Sequence, residues 1–175
     1  MKIVLASKSG VRKQILDKYG IDNEVIVSNV DEDEIKESLL AEGADPLSIS
    51  KNLAEIKSIK VSNKNPDRFV LGADSVISLN KELINKRSSR EEAFAILKKL
   101  NNSKHYLISS VCIAKNGAMV WNHSDSSELK MKNLNDDQLS SYLSKIETKT
   151  LIAYGVYQIE ADGLELFEYV KGNKD

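Results

Sequence analysis

The 175-residue sequence predicts an α/β (α+β) fold, a mixed twisted sheet with helices on its faces, and three observations carry that expectation. Short apolar runs alternate with amphipathic stretches through the first half, as strand–helix alternation requires. The Asn116-Gly117 pair then sits between two long strand-like segments, a strong hairpin signal. No repeat, low-complexity tract or linker interrupts the pattern, and the Pro/Asn cluster Ser62–Asp67 reads as a loop. One domain spanning 1–175, or at most two small lobes around a shared core, is therefore expected.

Ile3-Val4-Leu5-Ala6 is a continuous apolar run of the kind a strand buried on both faces needs. A helix follows: Val11, Ile15 and Tyr19 recur at four-residue spacing beside Leu16, Ser9 supplies an N-cap and Gly20 a stop. Val25 and Val27 alternate within Glu24–Ser28, a second strand before an acidic turn. Helices are predicted from about Asp33 to Glu42 and from about Pro46 to Val61; the second begins on proline and sets Ile49, Leu53 and Ile56 on one face. Arg68–Leu79 is a strongly apolar strand interrupted by one carboxylate, Asp74. Asn80-Lys81 turns a hairpin, and Ser88 or Ser89 caps a helix whose Ala93, Ile96, Leu97 and Leu100 share a stripe. His105–Ala114 and Ala118–Met131 are the two long strands. Asn135 with Gln138 forms a capping pair for a helix turning Leu139, Tyr142, Leu143 and Ile146 inward. Tyr157–Glu160 and Leu164–Val170 close the chain as strands.

Composition narrows the function. Hydrophobic residues make up 41% and charged residues 29%, which excludes disorder, a collagen-like repeat and a disulfide scaffold. The formal charge of −1 leaves no global field to draw the protein onto nucleic acid or an acidic membrane, so an anionic ligand must be held locally. Cys112, in the apolar run Val111–Ala114, is expected to be a small buried hydrophobe; as the single cysteine it excludes an internal disulfide and a thiolate zinc cluster. His105 and His123 have no partner at ligand spacing, and Trp121 with the few other aromatics forms no base-stacking series. The N-terminal apolar run is too short for a signal peptide and no stretch approaches ~18 apolar residues, so a cytosolic protein is expected.

Three segments could carry chemistry. Leu5–Lys13 runs from a strand into a helix start, where small hydroxyls, free backbone N–H groups, the helix dipole, Lys8 and Arg12 make either a local phosphate site or only an N-cap. Its spacing is not that of a Walker loop. Asp74, flanked by apolar strand residues, is either paired with a cation, metal or reacting water, or merely ends the strand. Gly72 and Ala73 beside it clear space for something to approach the backbone. The acidic run Asp31–Glu34 is either a solvated helix start or a metal site. Lys57 and Lys86 are isolated lysines that draw interest only from this company.

Taken in order, Leu5–Ser9, Arg12, Val30–Glu32, Leu53–Lys57, Leu71–Val76, Lys86 and Leu100–His105 resemble the motifs of the Maf family, and Gly155–Glu160 fits its Gly-Ala-Tyr segment. The likeness is collinear over nearly the whole chain. It implies a Maf/ITPase-like sheet with a central substrate cleft. It also implies a cytosolic enzyme that cleaves a nucleoside triphosphate between the α and β phosphates, with Mg²⁺ or Mn²⁺. By the same resemblance Ser7, Ser9 and Arg12 would hold phosphate, and Asp74 would be the general base or metal-positioning carboxylate. Glu32 would help bind the metal, and Lys57 and Lys86 would neutralise the phosphates and the leaving pyrophosphate. Such a set suits the reaction, because water attacks a polyanion slowly unless cations spread its charge and a base orients the nucleophile.

The sequence also departs from the family pattern. Where the first motif commonly reads Ser-Pro-Arg-Arg or Ser-Pro-aromatic-Arg, Gly10 and Val11 stand at the variable positions and remove a cation. Asp74-Ser75 replaces Asp-Thr and keeps the hydroxyl; Lys86-Arg87 replaces Lys-Pro. Glu160, where many members have glutamine, is closer to the subgroup acting on methylated guanine nucleotides, such as 7-methyl-GTP, than to the dTTP/UTP subgroup. Val11, Ser75 and Glu160 correspond to the positions that distinguish substrate in the family. Relatives generally continue past Gly172 through a strand, a Gly-Leu-Pro turn and an amphipathic helix, which a chain ending at Asp175 is expected to lack. If that element covers one face of the core, a second subunit can cover it instead, which makes homodimerisation a hypothesis. The alternative to an enzyme is a nucleotide-binding regulator of septum formation and cell division, which keeps the pocket without turnover.

Overall fold

A short parallel ladder organises the N-terminal part of the chain. In the computed structural model, which describes residues 1–85, 89–147, 150–151, 155–157 and 162–172, β1 (Ile3–Leu5) pairs in parallel with both β2 (Asn23–Val25) and β3 (Val70–Leu79). The predicted α1 spans Gly10–Lys18, capped by Ser9 and stopped before Gly20 at φ +68°. α2 (Glu32–Ala41) is capped by Asp31 and α3 (Pro46–Ser62) by Asp45, with proline in the first turn. β2 is shorter than the Glu24–Ser28 expected, because its partner runs out: Ile26 N–H still bonds Leu5 O at 3.1 Å, but β1 ends there.

The later elements follow the predicted order. β4 (Glu82–Ile84) pairs antiparallel with the end of β3 across Asn80 and Lys81, both at positive φ. α4 (Arg90–Leu100) and α5 (Asp136–Ser144) each carry a capping box, built by Ser89 with Glu92 and by Asn135 with Gln138. β5 (Lys104–Lys115) and β6 (Ala118–Met131) turn at Asn116-Gly117, both left-handed, as a primed hairpin turn requires. The last strand is β7 (Phe167–Lys171), paired antiparallel with β6. Leu164–Leu166, expected as strand, is instead part of a 3₁₀ turn over Asp162–Leu166. Three residues of alternation do not separate the two periods, and pairing with β6 begins only at Phe167. Most of the predicted strand Tyr157–Glu160 lies outside the described residues. The strand order is β2-β1-β3-β5-β6-β7, with β4 on β3, a mixed sheet as expected.

The chain divides into two compact units, Met1–Val76 with Ile108–Asp125, and Ile77–Leu107 with Ser126–Lys174. Each has its own apolar cluster. In the first, Val4, Ala6, Val61 and Val70 pack together. In the second, α4 and α5 contribute Ala93, Leu97, Leu100, Leu139, Tyr142 and Leu143 to a larger core. His105 is fully buried there and pairs its Nε2 with the Tyr157 hydroxyl at 2.9 Å, so its role is structural. Burial lowers its pKa from 6.5 to about 4. Between those values the unfolded chain holds more protons than the folded one. Stability is therefore expected to be full above about pH 6.5 and to fall as the pH drops towards 4, by up to roughly 3 kcal/mol. Denaturant titrations between pH 7 and 4.5 measure this, and a slope unchanged in His105→Leu would contradict it.

Gly72 shows why β3 carries a glycine in its middle. A Cβ there would collide with the Ala54 carbonyl oxygen and lie 2.8 Å from Ser58 N and 2.9 Å from Ser58 Cβ. The backbone that approaches Gly72 is thus helix α3 of the same unit, which accounts for the cleared space expected from Gly72-Ala73. Gly72→Ala is predicted to destabilise the chain by about 1–3 kcal/mol through overpacking. The denaturation midpoint measures it, and an unchanged midpoint would show that α3 can back away from β3.

Candidate active site

All the described site residues lie in the first unit: Ser7 and Ser9 between β1 and α1, Val11 and Arg12 on α1, Glu32 at the start of α2, Lys57 on α3, and Asp74 and Ser75 in the middle of β3. Because β1 sits between β2 and β3, the chain leaves it on one side and returns on the other. That is the switch point at which parallel sheets bind ligands. Ser7 follows β1 directly and is buried; its Oγ accepts from Ser9 N–H at 3.1 Å and from Arg12 Nη1 at 3.2 Å. Ser9 Oγ accepts from Arg12 N–H at 3.4 Å, so the cap and the expected phosphate ligand are one residue. Its hydroxyl hydrogen is still available to an anion. Arg12 reaches from α1 to β3, donating through Nη1 to the Ala73 carbonyl at 2.8 Å and through Nη2 to Ser75 Oγ at 3.4 Å. Burial pushes its pKa down while Asp74 and Glu32 oppose that shift; as a guanidinium it stays charged. Val11 is half-buried on α1 and Lys8 is exposed.

The second half of the site is an ion triad. Lys57 projects from α3 and is only 4% exposed, as is Asp74 on β3. Its ammonium lies 2.8 Å from Asp74 Oδ1 and 2.9 Å from Glu32 Oε1, at the start of α2. Asp74 therefore does not end a strand or cap a turn, since β3 runs on to Leu79. Its other oxygen, Oδ2, is buried and has no hydrogen-bond partner among the described residues. Ser50, fully buried on α3, donates to the Asp74 carbonyl at 3.2 Å and helps hold that residue.

Ser7, Arg12 and Ser75 are thus joined by hydrogen bonds, and Glu32, Lys57 and Asp74 by ion pairs. Lys86 and Glu160 fall outside the described residues. Cys112 is buried and accepts from Ser58 Oγ at 3.1 Å; burial pushes its thiol pKa up, which fits an inert core residue. Two supporting hydroxyls escaped the sequence reading: Ser50, and Ser109, whose Oγ lies 2.9 Å from that of Ser75. Ser109 sits in the mainly apolar run Leu107–Ala114 and Ser50 lies three residues before Leu53 on the buried face of α3, which is the signal they offered.

The donor set suits a hard divalent cation. Glu32 and Asp74 both bring a carboxylate oxygen to the Lys57 ammonium, and Asp74 Oδ2 has no hydrogen-bond partner among the described residues. Among the described residues no group of three His, Cys, Asp or Glu side chains converges, so protein alone would not complete a metal shell. Mg²⁺ typically takes one or two carboxylates and fills its octahedron with water and substrate phosphate.

A family model described as Maf-like protein matches residues 2–175. The chain belongs to the Maf-like family. A relative from Pelagibacter ubique, named nucleoside triphosphate pyrophosphatase, is 53% identical over 174 residues, covering 99% of this chain and 89% of that protein. A Ruegeria pomeroyi relative of the same name is 37% identical over 98% of this chain and 86% of its own length. A Brucella abortus relative named 7-methyl-GTP pyrophosphatase is 34% identical over 99% and 87%. Among the described residues no helix is long and apolar enough to cross a membrane.

Proposed function

We propose that this Maf-like chain is a nucleoside triphosphate pyrophosphatase, releasing a monophosphate and pyrophosphate with the aid of Mg²⁺ or Mn²⁺. The observation that carries the reading is the state of Asp74. One carboxylate oxygen is held by a buried ammonium while the other is buried without a partner among the described residues, beside an arginine at the switch point. The named relatives support the reaction class.

On this reading Ser7, Ser9 and Arg12 take the phosphate tail at the β1–α1 turn, where a helix N-terminus adds favourable potential for an anion. Asp74 Oδ2 accepts a proton from the water that attacks the α-phosphorus in line, as Lys57 holds Oδ1 and fixes the carboxylate plane. Lys57 and Arg12 offset charge gathering on the bridging oxygen as the bond to pyrophosphate breaks. Glu32 and Asp74 would hold the divalent cation, which when bound supplies charge neutralisation across the phosphates. The wider family resemblance adds Lys86 as a further cation and Val11, Ser75 and Glu160 as the positions that distinguish substrate.

Pyrophosphate release measured with Mg²⁺ and then Mn²⁺, across the standard nucleoside triphosphates together with 7-methyl-GTP and 5-methyl-UTP, tests the proposal. Release from one or a few of them is expected. Silence across the panel from folded protein would refute it.

A further inference from the structure

Among the described residues the Arg12 side chain has three hydrogen-bond acceptors, and one of them is tied to a further hydroxyl. Its Nη1 donates to Ser7 Oγ at 3.2 Å and to the Ala73 carbonyl at 2.8 Å, while Nη2 donates to Ser75 Oγ at the longer 3.4 Å. The Ser75 oxygen in turn lies 2.9 Å from Ser109 Oγ on β5, both residues being half-buried. A hydroxyl that accepts from a guanidinium still has its own proton to give, and the cation polarises that O–H into a better donor. Ser109 Oγ is placed to take it.

We infer that Ser109 is a positioning residue for the phosphate tail: by taking the Ser75 proton it turns a Ser75 lone pair to Arg12 and fixes the guanidinium plane. The inference rests on the pyrophosphatase reading for the identity of the anion. A serine hydroxyl is a free rotor unless something holds it, and a long Nη2–Oγ contact is the one most easily lost when it rotates. Losing it would leave Arg12 anchored through Nη1 alone, so its orientation towards a bound phosphate would spread. The penalty falls on binding, because Ser109 acts through Ser75 on Arg12, whereas the base Asp74 is held by Lys57.

The test compares Ser109→Ala, Ser109→Thr, Ser75→Ala and the Ser75→Ala/Ser109→Ala double variant, reading kcat and KM and the Kd for a non-hydrolysable α,β-methylene nucleoside triphosphate. Ser109→Ala is expected to raise KM and Kd about three- to ten-fold, the worth of one hydrogen bond, with kcat changed less than about two-fold. Threonine should restore both constants, and Ser109→Ala should add nothing in the Ser75→Ala background, since residues acting through one contact are not additive. Unchanged KM and Kd in Ser109→Ala, a loss confined to kcat, or a full additional loss in the double variant would overturn the inference. Wild-type protein that binds the analogue without turnover, and more tightly than Ser109→Ala, would overturn the pyrophosphatase reading and sustain the role of Ser109. Wild-type protein that neither binds nor turns over would overturn both.

Discussion

Asp74→Asn is expected to lower turnover by about 10²–10⁴-fold, the usual contribution of a positioned general base, while nucleotide binding stays within a few-fold of wild type. The asparagine has nearly the same shape, and its side-chain oxygen can still accept from Lys57, so α3 and β3 keep their connection. What it loses is the proton acceptor at the Oδ2 position, now an amide that only donates. A kcat loss at near-constant Kd for the α,β-methylene analogue is the expected signature. Full activity in Asp74→Asn would remove this carboxylate from the chemistry.

Lys57→Met should be the most destabilising of the site substitutions. It deletes the ammonium that lies against both Asp74 and Glu32 and leaves a 4% exposed carboxylate without its hydrogen-bonded cation. Breaking such a buried pair costs about 3–5 kcal/mol, more than replacing both partners, because the surviving charge stays desolvated. Denaturant titration of Lys57→Met, Asp74→Asn and the double variant separates these effects. The double variant is expected to be more stable than Lys57→Met alone. If it is less stable by the sum of the two single losses, the two residues do not act as a pair.

Most elements were legible because their signals are local. Capping residues such as Ser9, Ser89 and Asn135, the proline at the start of α3 and the Asn116-Gly117 turn act within a few residues, and each appears where the pattern put it. The limits of β2 and the turn before β7 were not legible, since a strand end depends on where its partner stops. The site divides the same way. The strand-to-helix turn with Ser7, Ser9 and Arg12 is visible in the sequence as either a phosphate site or an N-cap, whereas Lys57 looks like any surface lysine until it is counted on the helix. It lies four residues after Leu53, on the stripe of Ile49, Leu53, Val61 and the buried serines of α3. The periodicity therefore buried it, and a buried lysine demands a partner. That partner, like the Ser75–Ser109 contact, comes from a strand distant in sequence, which no local pattern specifies.

The central claim is that this site splits a nucleoside triphosphate at its α–β bond, and product analysis tests it most directly. Phosphorus NMR of the wild-type reaction on its best triphosphate should show monophosphate and pyrophosphate appearing in equal amounts, with neither product formed by Asp74→Asn at the same rate. Orthophosphate with a diphosphate, or an unchanged triphosphate bound to folded protein, would contradict it.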